Sequence, residues 1–113
     1  MLAKKNRILL NKEFDQIFKT GQSFYGQVLG AKVVDGNFPE TRVGILVGLK
    51  VSKLAVVRNK IKRQLREIIR QELPLLKKSK DLVIITLPTI TKADFNQLAK
   101  EVQMVFKKLD LYQ

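Results

Sequence analysis

The stretch from Lys50 to Arg66 reads KVSKLAVVRNKIKRQLR, a pattern typical of a helix that is apolar on one side and cationic beside it. From residue 54 to about residue 73, apolar residues recur at helical spacing and fall within about 120° of arc. They are Val57, Ile61, Leu65, Ile68 and Ile69. Pro74 ends this helix or begins a turn after it. The spacing therefore predicts a helix with one side packed on a core.

The same helix carries an unusual excess of positive charge. Between Lys50 and Arg70 there are eight basic residues and one acidic residue, Glu67. On a helical wheel, one flank of about 100° holds only cations and an amide, which are Asn59, Lys62, Arg63, Arg66 and Arg70. A solvated face usually alternates Glu with Lys, whereas guanidinium groups bind phosphates through paired donors. The pattern favours contact with a nucleic acid.

Weaker signals surround this helix. Residues 11–20 read as a short helix with Asn11 as N-cap and Gly21 as its stop. Residues 27–35 and 42–49 are rich in apolar and β-branched side chains, and the turn residues Asp35-Gly36-Asn37 lie between them. We therefore predict that these two strands form an antiparallel pair.

Downstream, a basic linker at residues 77–80 leads to a buried strand at residues 82–87. Thr91 and Asp94 resemble a capping box in front of a last amphipathic helix, residues 95–109. The predicted order is α-β-β-α-β-α. It describes an α+β sandwich with a small mixed sheet, in which a β-α-β crossover carries the basic helix. Residues 1–113 are expected to form one RNA-binding domain.

Composition narrows the class of partner. Twenty-two Lys and Arg residues oppose ten Asp and Glu residues, which gives a formal net charge of +12 and a pI near 10.2. Such an excess repels itself in a compact chain, so a polyanionic partner is expected. An anionic membrane surface is the weaker candidate, because it calls for a helix with a large exposed apolar face. No stretch reads as a signal peptide or a membrane span, so we expect a soluble protein.

Several catalytic functions lack the residues that they need. The chain has no Cys and no His, and its carboxylates are scattered, so neither a thiolate metal site nor a protein-only nuclease is expected. Helix-turn-helix spacing, zinc ligands and a heptad zipper are also missing, which favours RNA over DNA. A ribosomal or other structured-RNA-binding module remains an alternative at this point.

One family fits these features. Arg42-Val43-Gly44-Ile45, followed by Lys50-Val51-Ser52-Lys53 and then by residues 55–63, AVVRNKIKR, closely resembles the signature of the bacterial ribonuclease P protein subunit. The likeness extends to Lys5-Asn6-Arg7 and to Glu13-Phe14 with Phe18 and Gly21. It covers almost the whole chain.

The resemblance implies a cytoplasmic protein that assists a catalytic RNA, which removes the 5′ leader from precursor tRNA with Mg²⁺ held mainly by the RNA. The family's RNA-facing surface would here consist of Lys50, Lys53, Arg58, Asn59, Lys60, Lys62, Arg63 and Arg66. The cleft that holds the single-stranded leader would consist of Phe14, Phe18, Lys32 and Arg42, although the two phenylalanines fit a core role equally well. No catalytic residue, metal site or small-molecule cofactor is expected in the protein itself.

The chain departs from the family pattern at three places. Lys60 stands where the motif has a second Arg, which keeps the charge but loses the planar fork. Residues 46–50 read LVGLK where Ser-Val-Ser-Lys-Lys is common, and Lys32 stands where an aromatic residue is usual. Stacking of a base at Lys32 is therefore not expected.

Overall fold

The structure is a computed structural model that describes residues 11–113, except for the side chains of residues 11–14 and 18. Its main elements, in chain order, are α1 Asn11–Thr20, β1 Gln22–Tyr25, β2 Leu29–Asp35, β3 Arg42–Leu46, α2 Ala55–Glu72, β4 Lys80–Thr86 and α3 Phe95–Lys108. A short 3₁₀ helix, Leu73–Leu75, follows α2, and a second one, Pro88–Lys92, precedes α3.

The four strands form one mixed sheet in the order β1-β2-β4-β3. β2 is antiparallel to β1 and β4, whereas β3 is parallel to β4. The predicted antiparallel pairing of residues 27–35 with 42–49 is wrong, because β4 lies between those two strands. The physical reason is burial: Leu82, Val83 and Ile84 are fully buried, and a strand that is apolar on both faces belongs in the middle of a sheet.

The α+β class and the β-α-β crossover are confirmed. α2 connects the parallel strands β3 and β4, as the sequence predicts for the basic helix. β1 is an additional strand that the sequence did not predict. It has four residues, three of them exposed, and pairs with β2 from Gln22 opposite Val33 to Tyr25 opposite Gly30. A strand of only four residues is too short to carry a periodic signal of its own.

The main core lies between the sheet and two helices. Leu29 and Ala31 of β2 and Ile84 of β4 belong to a cluster to which α2 and α3 each contribute four buried side chains. These are Ile61, Leu65, Ile68 and Ile69 from α2, and Leu98, Val102, Val105 and Phe106 from α3. Full burial of each such side chain contributes about 1.5–3 kcal/mol, so α2 is held firmly by its apolar side.

α1 covers part of the opposite face of the sheet. Ile17 of α1 packs with the fully buried Val83 of β4, and Val34, Leu46 and Ile85 border this smaller cluster. Because side chains alternate along a strand, Lys32 of β2 points to this face as well. The sheet therefore has α2 and α3 on one side and α1 on the other.

The N-terminus of α3 is capped one turn later than predicted. The Asp94 carboxylate accepts a hydrogen bond from the Gln97 amide N–H at 2.8 Å, and Gln97 Oε1 accepts one from the Asp94 N–H at 2.9 Å. The predicted box of Thr91 with Asp94 is wrong, because the 3₁₀ helix Pro88–Lys92 occupies that segment. Thr91 instead donates a hydrogen bond to the Pro88 carbonyl within that helix, at 3.3 Å.

Two long-range ties fix the ends of the sheet and of α2. The Glu101 carboxylate of α3 accepts three backbone N–H bonds from the β1–β2 turn, from Gln27 at 2.8 Å, Val28 at 2.7 Å and Leu29 at 3.0 Å. At the other end, Tyr112 forms a β-bridge with Leu76, just beyond α2. The chain end is thereby fastened to the segment that follows the basic helix.

Candidate nucleic-acid interface

α2 presents its charged side outward because its apolar side packs into the core. Ile61, Leu65 and Ile69 anchor it, so the polar residues between them point away from the core at helical spacing. On that side the structure brings together four predicted RNA-binding residues, which we call the α2 row: Asn59, Lys62, Arg63 and Arg66. Asn59 and Arg63 are exposed, and Lys62 and Arg66 are half-buried.

The α2 row is not neutralised from within the described part of the chain. Across residues 11–113 no carboxylate forms a salt bridge with its three cations. Lys60 is also exposed. It lies outside the arc of the α2 row, about 60° beyond Arg63 around the helix. Three cations and an amide on a rigid helix therefore face solvent, which suits binding to successive phosphates.

Arg58 has a second, internal role at the start of this surface. Its Nη1 donates a hydrogen bond to the Ser52 carbonyl at 2.9 Å, and the Ser52 hydroxyl accepts one from the Leu54 N–H at 3.1 Å. These bonds fix the loop between β3 and α2. Lys50 and Lys53, both predicted to bind RNA, are exposed on that loop. Arg58 thus holds the loop, and its contact with RNA stays a prediction.

Arg70 closes the cationic flank at its other end. It donates to Glu67 through Nη2 at 2.6 Å and Nε at 3.2 Å, and Gln71 donates to the same carboxylate at 3.3 Å. The hydrogen bond from Arg70 lowers the pKa of the Glu67 carboxyl below its usual value, and the same bond raises the pKa of Arg70. The wheel placed Arg70 among the phosphate-binding residues, but its guanidinium is already engaged by the one acidic residue of the helix.

The predicted leader-binding residues lie on the other side of the sheet. Lys32 is half-buried on the α1 face, opposite Ser23 of β1 and Val83 of β4. Phe14 and Phe18 belong to α1, but their side chains lie outside the described part of the structure. The structure thus separates the two predicted groups of residues into an α2 surface and a surface on the α1 side.

Arg42 lies on this α1 side but is committed to internal partners. Its Nε and Nη2 donate to the two carboxylate oxygens of Asp81, at 3.0 Å and 2.7 Å, and the side chains are only 13% and 11% exposed. The guanidinium carbon also lies 4.4 Å from the centre of the Phe38 ring, within the range of a cation–π contact. The partnership arises because Arg42 and Asp81 are neighbours across the parallel strands β3 and β4.

Tyr25 is a candidate that sequence reasoning missed. It lies on the α1 face of β1 and is 45% exposed, with its ring packed on Gly30 of β2. A Cβ atom at Gly30 would lie 2.4 Å from Cδ2 of that ring, so the glycine makes the packing possible. The signal was lost because β1 itself was not predicted. Tyr25 therefore places an aromatic ring on the face that also bears Lys32.

Other features of the described chain offer less. One hollow of about 510 Å³ lies between the ends of β2, β4 and α3, and its lysines are paired with its aspartates, Lys77 with Asp110 and Lys80 with Asp35. Among the described residues, no three His, Cys, Asp or Glu side chains lie close enough to hold a metal ion. No helix within residues 11–113 is both long and apolar enough to cross a membrane.

Comparison with known proteins points to one family. The family model described as Ribonuclease P matches residues 2–110. The ribonuclease P protein component of Pseudanabaena sp. is 37% identical over 109 residues, which cover 96% of this chain and 94% of that protein. The protein component of Bacillus pumilus is 34% identical and covers 99% of this chain and 94% of its own length.

Solved structures give the same result. The Staphylococcus aureus RNase P protein superposes with a TM-score of 0.88 at 27% identity, covering 96% of this chain and 98% of that one. The Thermotoga maritima RNase P protein superposes with a TM-score of 0.82 at 28% identity, covering 90% and 96%.

Proposed function

Because this chain belongs to the ribonuclease P protein family, and so is the protein subunit of an endoribonuclease holoenzyme, we propose how its two surfaces divide the work. The α2 surface binds the catalytic RNA, and the α1 side of the sheet binds the 5′ leader of precursor tRNA. The alternative of a ribosomal or other RNA-binding module has no support from the family match.

One observation carries this proposal: the α2 row stands on a helix whose other side is locked into the core. Lys62, Arg63 and Arg66 have no carboxylate partner within residues 11–113. Binding to RNA would therefore not require an internal ion pair to break. Each phosphate that such a cation contacts releases counterions, so affinity should depend steeply on salt.

The leader surface rests on different chemistry. Single-stranded RNA is held by cations along its backbone and by aromatic rings against its bases, at about 1–3 kcal/mol for each stacked base. Lys32 supplies a cation on the α1 side, and the exposed ring of Tyr25 supplies a stacking surface on the neighbouring strand. Phe14 and Phe18 stay predictions for the same cleft. Arg42 supports this face through Asp81 rather than by offering a guanidinium without a partner.

The chemistry of cleavage is assigned to the RNA. The described residues lack a carboxylate cluster that would bind Mg²⁺, and the whole chain has no His to move a proton. We therefore propose that the RNA holds the Mg²⁺. Action of the holoenzyme in the cytoplasm is a separate part of the proposal and rests on the family. The protein lowers the repulsion between two polyanions and grips the leader. Substrate is then favoured over product, which has lost that leader.

Reconstitution tests the proposal. The protein is mixed with a ribonuclease P RNA at low magnesium concentration, and 5′ processing of a precursor tRNA is measured, together with binding of precursor and mature tRNA. We expect the protein to restore processing and to tighten precursor binding far more than mature tRNA binding. Equal tightening of both would refute the leader contact.

Two variants separate the surfaces. Arg63→Ala should weaken assembly with the catalytic RNA, whereas Tyr25→Ser should leave assembly intact and reduce only the preference for precursor over mature tRNA. Lys108→Ala removes one charge from an exposed position of α3 and should change neither. If both site variants behaved like Lys108→Ala, the division into two surfaces would be wrong.

A further inference from the structure

Three large aliphatic side chains are exposed just before and at the start of α2. Leu49 is 68% exposed, Leu54 63% and Val56 70%. Every other exposed large apolar side chain of the described part of the chain is lower, at 55% or less. We call these three residues the aliphatic patch. Exposed apolar surface is thus concentrated within residues 49–56, and such a concentration marks an interaction site.

The patch is embedded in positive charge. Lys50 and Lys53 are exposed between its members, and the sequence from residue 41 to residue 66 contains no Asp or Glu. Val56 lies on the outward side of α2, and Arg63 of the α2 row follows seven residues later, about 10 Å along the helix axis. Val56 therefore lies along the same side of α2 as Arg63, and the other two members of the patch lie in the segment that leads into this helix.

This combination selects the kind of partner. A second copy of the chain would bring lysines against lysines, so self-association through the patch is disfavoured. A polyanion satisfies the cations, but it must also offer an apolar surface to the aliphatic groups. Within an A-form RNA helix the faces of the bases are stacked on one another, and only phosphates, riboses and base edges are accessible. An unpaired nucleotide, in contrast, presents the open face of its base.

We propose that Leu49, Leu54 and Val56 bind the faces of unstacked bases in a loop or bulge of the catalytic RNA, next to the helix or strand whose phosphates contact the α2 row. This inference rests on the proposed function, since it concerns the same RNA. It adds that α2 recognises a junction between paired and unpaired RNA. Recognition by charge alone would accept any duplex, whereas the patch makes the contact depend on RNA shape.

The test removes apolar surface without changing charge. Leu49→Ser, Leu54→Ser and Val56→Ser are combined in one full-length variant, and binding to the ribonuclease P RNA is measured over a range of salt concentrations. We expect the Kd to rise about tenfold from the lost burial, with the salt dependence unchanged because no phosphate contact is lost. Ser at position 54 is a favourable N-cap, and the thermal unfolding midpoint checks that the fold is retained.

Two controls sharpen this result. Leu75→Ser makes the same kind of change at an exposed leucine outside the patch. Leu75 is 55% exposed and lies beyond the C-terminal end of α2, so the Kd should stay unchanged. A plain RNA duplex of about 20 base pairs should bind the triple variant and the unaltered protein equally, because it has no open base. Some nucleotides of the catalytic RNA should be protected from chemical modification by the unaltered protein but not by the triple variant. We expect these nucleotides to be unpaired.

Three outcomes would overturn the inference. The first is an unchanged Kd for the triple variant, and the second is an equal loss of affinity for the plain duplex. In the third, the triple variant loses binding to vesicles of anionic phospholipid but keeps its affinity for RNA, which would assign the patch to a membrane. Failure of the unaltered protein to bind the RNA would instead refute the proposed function, and the two failures are distinguishable.

Discussion

The phenol oxygen of Tyr112 lies 2.6 Å from Oε1 of Glu72 and donates a hydrogen bond to it. This bond joins the second-last residue of the chain to the last residue of α2. The Tyr112 ring also meets Phe106 edge-on, with ring centres 6.3 Å apart. The C-terminal end of the candidate RNA-binding helix is therefore held in place by the end of the chain.

Tyr112→Phe should lower the free energy of unfolding by about 1 kcal/mol, the net contribution of one hydrogen bond. Burial, with the Glu72 carboxylate, raises the pKa of Tyr112 above its usual value. A raised pKa in the folded state stabilises the protein below the unfolded pKa of about 10, and this stabilisation is lost as the pH rises above it. Denaturant unfolding between pH 8 and pH 11 should therefore show the difference between the two proteins shrinking at high pH.

Tyr25→Phe is the matched control for that measurement. The Tyr25 hydroxyl has no hydrogen-bond partner among residues 11–113, so its removal should leave the free energy of unfolding unchanged. If Tyr112→Phe behaved in the same way, the hydrogen bond from Tyr112 to Glu72 would not contribute to the free energy of unfolding.

Arg42→Ala should destabilise the protein by about 3 kcal/mol, because it leaves the buried Asp81 carboxylate without its cation. Arg42→Met combined with Asp81→Leu should recover most of that loss, since the pair is then replaced by apolar groups of similar size. Chemical denaturation measures both variants. A neutral Arg42→Ala would show that the guanidinium is available for the leader after all.

Arg63→Ala should reduce the slope of log K against log salt concentration by about one unit for binding to the catalytic RNA. Arg58→Ala should do the same and also loosen the loop that Arg58 holds through Ser52. Lys108→Ala removes the same charge from α3 and should keep the slope. A slope unaffected by Arg63→Ala would reject a phosphate contact at that position.

Glu67→Gln should tighten binding to the catalytic RNA by about two- to fivefold at low salt, because it releases Arg70 next to the α2 row. Asp110→Asn is the control, since it releases Lys77, which lies beyond the C-terminal end of α2 and not beside the α2 row, and it changes the net charge equally. Filter binding or fluorescence anisotropy measures both affinities. Equal gains would mean that net charge alone, and not the position of Arg70, governs the binding.

The features that the sequence predicts correctly are local ones. The bounds of α2 and α3 follow from apolar residues at helical spacing, and the cationic flank follows from the same wheel. The Arg70–Glu67 pair is also local, three residues apart, and reading that spacing would have removed Arg70 from the predicted phosphate-binding flank.

The features that were missed depend on residues distant in sequence. Strand order was mispredicted because the turn at residues 35–37 suggested a hairpin, while the burial of β4 decides the order. β1 forms because β2 offers it an edge to pair with. The Arg42 guanidinium is engaged in an ion pair because the parallel register brings Asp81 beside it. None of these contacts leaves a periodic trace in the sequence.

The central position of β4 has a consequence for biosynthesis. β2 and β3 are translated early, but neither has its inner neighbour until Lys80–Thr86 has left the ribosome. Until then β2 and β3 each have an unpaired edge in the nascent chain. The positively charged, amphipathic α2 segment also lacks the complete sheet against which its apolar side packs. Ribosome-bound chains that stop before Lys80 should therefore be sensitive to protease along α2, and protection should appear abruptly once β4 has emerged.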